Sequence, residues 1–402
     1  MSNASTELGR LRRAKGRLRR KLAHGFARVV FATSKEDENP EVHESPGGAL
    51  DDERFAEWFA LAERATLAGR VKHTWIVDEV HRLEVDARHG FVKSKTRDAA
   101  QVEKAMGGKD RALRPDRSAT FLREIGIMNP DGSIPAKRAK KYKQVNHFVE
   151  LLRPTLGWLS TRRGADASAP LRVVDLACGN AYLSFVLAET LRLEARELDL
   201  LGVDLREDLI ARARSRADAL ELEGLRFEVD RLETLGADAL EDRELLLALH
   251  ACDTATDEAI AAGVRAAIPA LWVVPCCQAE LAAQLAAQSE AASAARSTGP
   301  TSELPALLDD GLLRRSYADA LTDALRVEVL RACGYEVAVV EFVASEHTPK
   351  NLLLRAHRKG DAPPFSAALL GALQRDMRAR GLDPRLLRTL APAGLETSEN
   401  PI

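Results

Sequence analysis

The sequence predicts an α/β protein in which a helical N-terminal domain precedes a seven-stranded, mostly parallel sheet. Three observations support this fold class. Short β-rich runs alternate with helical segments between residues 171 and 356, the last two runs are joined by a short loop, and residues 51–152 show helical periodicity. The composition, 46% hydrophobic and 29% charged over 402 residues, is that of a folded globular protein.

The β-rich runs define the strand order along the chain. Strands separated by helices imply βαβ crossovers and a parallel sheet. The loop before the last run, residues 344–351, is too short for a parallel crossover, so we expect the seventh strand to run antiparallel. An Ala/Ser-rich insert at 284–303 is expected to be a helix followed by a loop. The seven runs are Arg172–Leu176, Asp199–Asp204, Leu225–Val229, Leu245–Leu249, Leu271–Val274, Glu336–Val343 and Leu352–Arg355.

The periodicity divides the chain into four parts. In the first part, Leu11, Leu18 and Leu22 recur at helical spacing, while arginines and lysines fill the positions between them. An acidic stretch containing Pro46 comes next and is expected to be a linker. The four parts are a basic helix with its acidic linker (1–50), a helical N-terminal domain (51–145), the sheet domain (146–358) and a C-terminal tail (359–402).

The net charge of −2 conceals an asymmetry between the two halves of the chain. Residues 1–150 contain 30 lysines and arginines against 22 acidic residues, whereas the remainder contains 28 against 38. A basic N-terminal half is suited to bind a polyanion such as RNA. The segment Lys137–Lys143, with Tyr142 among its lysines, could hold phosphates and stack a base. A merely solvated helix surface is the alternative.

Several classes of protein are excluded by what the sequence lacks. No apolar run approaches the roughly 20 residues that span a bilayer, and no secretory signal precedes the first basic segment. We therefore expect a cytoplasmic protein without integral membrane association. An organellar transit peptide in the basic N-terminal segment is the alternative. The cysteines form neither a disulfide framework nor a CxxC pair, so we expect no metal site. They are Cys178, Cys252, Cys276, Cys277 and Cys333.

The most informative segment comes after the first predicted strand, where Val173–Ser184 reads VVDLACGNAYLS. A loop at this place presents backbone N–H groups and a helix N-terminus at the carboxyl edge of the sheet. The second strand ends at Asp204, whose carboxylate can accept hydrogen bonds from both hydroxyls of a ribose. Together these features predict a nucleoside-binding domain.

The segment Asp175–Ala181 resembles the first motif of class I S-adenosylmethionine-dependent methyltransferases, usually DxGxGxG, which have a Rossmann-like sheet. The resemblance implies that this loop wraps the methionine moiety of S-adenosyl-L-methionine, that Asp204 holds the ribose and that Asp230 lies near the adenine. The implied cofactor-binding residues are Asp175, Ala177, Cys178, Gly179, Ala181, Tyr182, Asp204 and Asp230.

The segment departs from the family motif at two of its three glycines. Ala177 and Ala181 occupy those positions, and alanine disfavours the positive φ that glycine adopts freely. We therefore expect both alanines at negative φ, or a reshaped loop, and the closest approach at Gly179. A nicotinamide-binding domain and a degenerate, inactive fold remain alternatives.

Three further segments come after later strands: LHACDTATD at 249–257, PCCQ at 275–278 and EHTPKN at 346–351. The first two resemble the eukaryotic tRNA 2'-O-methyltransferases that modify an acceptor-stem ribose. They are also similar to the methyltransferase domain of the glutathione S-transferase C-terminal-domain-containing protein. The tRNA enzymes have N-terminal zinc-finger modules, which have no equivalent here.

Four residues of these segments are candidate catalytic residues. His250 and Asp253 could take the proton of a hydroxyl acceptor, although His250 could instead orient the backbone or contact the cofactor. Cys276 and Cys277 could add to a pyrimidine ring, or they are buried structural cysteines. The sequence therefore predicts a methyltransferase acting on RNA, either tRNA or rRNA. A small-molecule or protein methyltransferase and a non-catalytic cofactor-binding or RNA-binding scaffold are the alternatives.

Overall fold

The computed structural model describes residues 3–34, 37–78, 81–96, 111–164, 168–232, 234–249, 251, 253–275, 278–295, 304–342, 352–360 and 366–390. Two compact units make up the chain, Met1–Lys143 and Gln144–Ile402. The division falls within one long helix, and each unit has its own sheet.

The described part of the N-terminal unit contains a five-stranded antiparallel sheet with the order β2-β1-β3-β4-β5. A long helix precedes the sheet, and a second helix connects β2 to β3. The elements are α1 (Asn3–Lys21), β1 (Arg28–Ala32), β2 (Glu41–Glu44), α2 (Asp52–Leu67), β3 (Lys72–Ile76), β4 (His81–Asp86), β5 (Phe91–Thr96) and α3 (Ala119–Glu124), then α4 (Ala136–Arg163), which crosses into the second unit.

This sheet corrects the prediction of a helical N-terminal domain over 51–145, and β2 lies in the stretch expected to be a linker. The alternation within β4 explains the strand: Leu83 and Val85 are buried, whereas Arg82 and Glu84 are only partly buried. Gly90 closes the β4–β5 hairpin at φ +68°, which favours glycine. In this region, therefore, the alternation of more and less buried residues that is typical of a strand determines the structure, and the helical periodicity of the sequence does not.

Residues from both helices and the sheet form the core of the N-terminal unit. Leu11 and Leu18 of α1 and Phe59 of α2 are buried with Trp75 of β3 in one cluster. Trp75 contacts Phe26 edge-on, with ring centroids 4.9 Å apart. Burial of the leucines leaves the charged side of α1 toward solvent.

The second unit contains a seven-stranded sheet among its described residues, with the order β11-β12-β10-β9-β6-β7-β8. Strands β6 to β10 pair in parallel, and β12 runs antiparallel to both β10 and β11, which confirms all seven predicted strands and the antiparallel last strand. The strands are β6 (Leu171–Leu176), β7 (Leu198–Asp204), β8 (Leu225–Val229), β9 (Leu245–Ala248), β10 (Ala270–Val273), β11 (Tyr335–Glu341) and β12 (Leu352–Arg358).

Helices connect these strands and extend beyond the last of them. None of the helices in the described parts of the chain has the length and apolar character needed to cross a membrane. They are α5 (Tyr182–Leu193), α6 (Glu207–Ala219), α7 (Ala237–Leu240), α8 (Thr254–Arg265), α9 (Ala279–Ala295), α10 (Pro305–Asp309), α11 (Gly311–Ala332), α12 (Ala367–Ala379) and α13 (Arg385–Leu390).

The last two helices belong to the core of this unit. Leu370 of α12 and Leu386 and Leu387 of α13 are buried in the same cluster as strand residues such as Val273. The expected C-terminal tail, 359–402, is therefore folded over its described residues 366–390.

The strand order places a crevice at the carboxyl edge of the sheet. The chain runs from β6 outward to β7 and β8, then returns to the other side of β6 for β9 and β10. The connections after β6 and β9 therefore leave in opposite directions, which is where ligands bind in open α/β sheets. After the roles that the sequence resemblance implies, we name the edge formed by β6, β7 and β8 the cofactor side, and the edge formed by β9 and β10 the acceptor side.

Candidate active site

The loop after β6 adopts a left-handed conformation at alternate residues. Ala177, Gly179 and Ala181 have φ of 55°, 58° and 52°. The expectation of negative φ at both alanines is therefore wrong. The loop accommodates the Cβ atoms of Ala177 and Ala181 in the left-handed conformation. The left-handed conformation costs a non-glycine residue about 1–2 kcal/mol, so surrounding contacts must hold it in place.

Asp204 provides those contacts from the end of β7. Its Oδ2 accepts a hydrogen bond from the Gly179 N–H at 2.8 Å, and its Oδ1 accepts one from the Arg206 N–H at 2.9 Å. The Cys178 N–H also donates to the Val203 carbonyl at 3.0 Å. Because each carboxylate oxygen has two lone pairs, Asp204 retains acceptor capacity for a ligand.

Asp175 lies behind this loop and is 3% exposed. Its Oδ2 accepts a hydrogen bond from the Ser184 hydroxyl, and its Oδ1 has no hydrogen-bond partner among the described residues. Burial raises the pKa of the Asp175 carboxyl to about 7; the Ser184 hydrogen bond opposes the shift and the Asp204 charge adds to it. Ser184 is therefore part of the site, a role that was not predicted from the sequence.

The remaining predicted cofactor residues lie at the same edge. The Asp230 N–H donates to the Asp204 carbonyl at 3.3 Å, which places Asp230 beside Asp204. Tyr182 begins α5, and its N–H donates to the Asn180 side chain at 3.2 Å. Cys178 is buried, and burial raises the pKa of its thiol, which disfavours the nucleophilic thiolate form.

These residues fit an S-adenosylmethionine ligand. That molecule presents an ammonium group and two ribose hydroxyls, all of them hydrogen-bond donors, and the edge offers carboxylate acceptors at Asp175, Asp204 and Asp230. The strongest evidence for a ligand at this edge is Asp175 Oδ1, which has no hydrogen-bond partner among the described residues. Buried acceptors are rarely left without a donor. Space is also available at Gly179, where the nearest atom to an added Cβ would be 3.8 Å away.

Of the four candidate catalytic residues, only Asp253 lies in the described part of the chain, and its carboxylate already accepts a hydrogen bond. Asp253 Oδ1 accepts a hydrogen bond from the Glu280 N–H at 3.1 Å, at the start of α9. His250, Cys276 and Cys277 lie outside the described residues. Catalytic roles for all four therefore stay predictions.

A buried polar cluster on the acceptor side was not predicted from the sequence. Arg326 of α11 pairs with Asp257 at 2.8 Å and with Asp323 at 3.1 Å. Gln278 donates to the same Asp323 carboxylate. Asp257 lies in the first turn of α8 with its side chain buried.

The Lys137–Lys143 segment does not offer a stacking aromatic. Tyr142 is 1% exposed, and its hydroxyl donates to the Leu113 carbonyl at 2.8 Å. The predicted stacking of a base on Tyr142 is therefore wrong. Lys137 pairs with Glu38 at 2.9 Å, both being exposed.

Comparison with known proteins identifies the domain that carries this edge. Residues 140–284 match a family model described as a methyltransferase domain. The chain contains a methyltransferase domain. With the strand order and the carboxylates of the cofactor side, this makes the protein a class I, S-adenosylmethionine-dependent methyltransferase, and S-adenosylmethionine is its cofactor. No curated protein matches the chain.

Three similar solved structures are themselves methyltransferases. Magnesium protoporphyrin IX methyltransferase from Synechocystis PCC 6803 with bound SAH is 15% identical, covers 60% of this chain and 93% of its own, and has a TM-score of 0.31. An rRNA methylase from Streptococcus thermophilus is 13% identical, with coverages of 51% and 95% and a TM-score of 0.30. An O-methyltransferase family protein from Burkholderia thailandensis is 17% identical, with coverages of 66% and 74% and a TM-score of 0.28. TM-scores this low carry no argument about the substrate.

Proposed function

We propose that this methyltransferase acts on RNA, either tRNA or rRNA, in the cytoplasm, and that α1 holds the RNA by its phosphates. The observation that carries the proposal is the basic surface of α1. Of its eight arginines and lysines, Arg12 pairs with Glu63 and Arg19 with Asp52. The other six have no acidic partner among the described residues; they are Arg10, Arg13, Lys15, Arg17, Arg20 and Lys21.

Three exposed arginines of α1 lie on one side of the helix. Arg13, Arg17 and Arg20 are spaced three and four residues apart and are exposed, and Gly16 between them adds no side chain. Such a row can contact successive phosphates of one strand. Phosphate contacts of this kind dominate the affinity of proteins for nucleic acids.

The β4–β5 hairpin lies along α1 and extends the basic surface. Arg17 donates to the Gly90 carbonyl at 3.2 Å, Arg10 to the Arg88 carbonyl and Lys21 to the Ser94 hydroxyl. Carbonyl and hydroxyl acceptors do not neutralise these cations. The positive charge therefore remains available to an anionic ligand.

In the second unit, the cofactor side is proposed to bind S-adenosylmethionine and the acceptor side to hold the group that receives the methyl. S-Adenosylmethionine supplies a sulfonium-bound methyl group to an acceptor nucleophile. Asp175, Asp204 and Asp230 bind and orient the cofactor. The resemblance of 249–257 and 275–278 to tRNA 2'-O-methyltransferases supports a ribose hydroxyl as acceptor, whose proton His250 or Asp253 would take. Attack by Cys276 or Cys277 would instead require a pyrimidine carbon as acceptor.

The test is methyl transfer from tritiated S-adenosylmethionine to an extract of cells that lack the enzyme. We expect nuclease to release the label, and digestion of the product to nucleosides then identifies the acceptor atom. Label released by protease, or found in low-mass material, would replace RNA with a protein or small-molecule substrate. Failure to bind S-adenosylhomocysteine would favour a non-catalytic scaffold.

The α1 surface is tested with Arg13→Glu/Arg17→Glu/Arg20→Glu. We expect RNA binding at least tenfold weaker and a shallower salt dependence, by about 0.7 per lost phosphate contact on single strands. The control is the same charge change at exposed positions of the other unit, Arg172, Arg192 and Arg331. Equal losses for the two triple variants would contradict the assignment to α1.

A further inference from the structure

Arg326 of α11 is the centre of a buried polar cluster. Its side chain is 1% exposed, and Nε donates to Asp257 Oδ1 at 2.8 Å. Nη1 donates to Asp323 Oδ1 at 3.1 Å, and Nη2 donates to the Asp253 carbonyl at 3.0 Å. These residues and Gln278 are named the Arg326 cluster.

The Arg326 cluster connects the chain segments that come after β9 and β10. Asp253 comes directly after positions 250–252, Asp257 lies four residues beyond it, and Gln278 comes directly after positions 276–277. Gln278 is 3% exposed, and its Nε2 donates to both carboxylate oxygens of Asp323, at 3.2 and 3.0 Å. One arginine and one carboxylate of α11 therefore hold both segments of the acceptor side.

The backbone at Asp253 is unusual for a residue with a side chain. Its φ of 50° and ψ of −117° belong to a sparsely populated region that is unfavourable for a residue with a side chain. Arg326 holds its carbonyl and the Glu280 N–H holds its carboxylate. The chain leaving positions 250–252 is thus held in a conformation that it would not adopt unaided.

Stability alone does not account for the Arg326 cluster. Burial raises the pKa of both Asp257 and Asp323, although the Arg326 charge opposes the shift. Buried ion pairs are commonly no more stabilising than apolar side chains of similar volume, because the charges lose their hydration. The neighbouring positions of α11, such as Leu325 and Val329, are buried and apolar. An apolar residue at 326 would suit that surface, but it would not hold the Asp253 carbonyl.

We propose that Arg326 is a positioning residue for methyl transfer. It holds the Asp253 carbonyl, directly after positions 250–252, and through Asp323 it is linked to the Gln278 side chain, directly after positions 276–277. These positions carry candidate catalytic side chains, so Arg326 sets the alignment of the methyl acceptor. Misalignment by about 1 Å can slow such a reaction on the order of 100-fold. The inference rests on methyl transfer by this domain but not on RNA as the acceptor.

The first experiment compares Arg326→Met and Arg326→Lys with Arg331→Met. Arg331 lies on the same helix in an exposed pair with Glu328, so it is a matched control. Label transfer to unfractionated cell extract is measured at saturating cofactor, together with the Kd of S-adenosylhomocysteine. We expect transfer at least 30-fold slower for Arg326→Met, partial activity for Arg326→Lys, and a cofactor Kd within threefold for all variants. Normal transfer by Arg326→Met would overturn the proposal.

A second variant separates positioning from folding. Arg326→Met/Asp257→Leu/Asp323→Leu replaces the buried charges with apolar side chains, and we expect its melting temperature to match or exceed that of Arg326→Met. Methyl transfer should stay slow in this variant. Recovery of transfer together with stability would mean that Arg326 acts only through folding.

A third measurement needs no methyl acceptor. Iodoacetamide labelling of Cys252, Cys276 and Cys277, analysed by mass spectrometry, reports on the segments that the Arg326 cluster holds. We expect severalfold faster labelling of at least one of them in Arg326→Met. Cys178 and Cys333 are buried and serve as internal references. Unchanged labelling of all three would overturn the proposal, whatever the acceptor is.

Discussion

The cofactor side and the acceptor side of the sheet are built in different ways. On the cofactor side, Asp175, Ser184, Gly179 and Asp204 lie within thirty residues of one another, and their contacts form within the single β6–α5–β7 unit. On the acceptor side, Arg326 reaches Asp257 across 69 residues and joins segments from three elements. Local contacts leave a sequence motif, whereas contacts over long separations do not.

The difference has a functional consequence. Disruption of the cofactor side should weaken binding of S-adenosylmethionine, because its carboxylates are the predicted acceptors for the ammonium group and ribose hydroxyls of the ligand. Disruption of the acceptor side should slow methyl transfer while binding persists. Variants on each side test whether cofactor binding and methyl transfer can be lost independently. Their expected effects range from a loss of cofactor binding to a small change in stability.

Asp204→Ala should have the largest effect on cofactor binding. The variant removes an acceptor for the ribose and also releases the Gly179 N–H, and hydrogen bonds to a charged group contribute about 1.5–3 kcal/mol each. We expect the Kd of S-adenosylhomocysteine, measured by calorimetry, to rise at least 100-fold. Asp376→Ala, an exposed carboxylate of α12 paired with Arg380, should leave the Kd unchanged. A Kd of Asp204→Ala within threefold of wild type would contradict the ribose assignment.

Asp257→Ala should have the largest effect on stability. It leaves the Arg326 guanidinium buried with one carboxylate partner fewer, and loss of one member of a buried pair costs about 3 kcal/mol. Chemical denaturation measures the free energy of unfolding. The control is Glu328→Ala, which breaks the exposed pair with Arg331 and should cost under about 1 kcal/mol. Similar losses for both variants would mean that the Arg326 cluster is not a buried ion pair in solution.

Cofactor affinity should rise with pH because Asp175 titrates near neutrality. With its pKa at about 7, the ionised fraction of Asp175 increases about tenfold between pH 6 and pH 8, and the ionised form attracts the ligand ammonium. We expect a comparable gain in affinity for S-adenosylhomocysteine, and none for Asp175→Asn. An identical pH dependence in the two proteins would exclude Asp175 as its source.

The same group makes the ligand-free protein less stable as pH rises. Its carboxyl pKa is raised from 3.8 in the unfolded chain to about 7 in the fold, so the unfolded chain releases the proton first. Stability is therefore lost as pH rises from about 4 to about 7. In Asp175→Asn this loss of stability with rising pH should be absent. Chemical denaturation at pH 5 and pH 7.5 measures it.

The smallest expected effect is at Ala181. Glycine removes the strain of the left-handed conformation, about 1 kcal/mol, but makes the unfolded chain more flexible by about 0.4–1 kcal/mol. Ala181→Gly should therefore be neutral or slightly stabilising. Ala211→Gly, at an exposed position inside α6, should instead cost about 0.5–1 kcal/mol. Equal destabilisation would indicate that Ala181 is not left-handed in solution.

The sequence predicts much of the second unit and little of the first. Buried strands such as β9, four consecutive apolar residues, stand out between helices, and the motif around Asp175 identifies the cofactor side. In the first unit, β4 and β5 are short and partly polar, so their alternation is weaker than the helical periodicity of α1 and α2. Arg326 gives no local signal, because an arginine within a helix is ordinarily solvated.

The central claim is that cofactor binding and methyl transfer depend on separate sides of this edge. The most direct test measures the Kd of S-adenosylhomocysteine and the rate of methyl transfer at saturating cofactor for wild type, Asp204→Ala and Arg326→Met. We predict that Asp204→Ala loses binding, whereas Arg326→Met retains binding within threefold and loses transfer at least 30-fold. A parallel loss of both properties in Arg326→Met would contradict the claim.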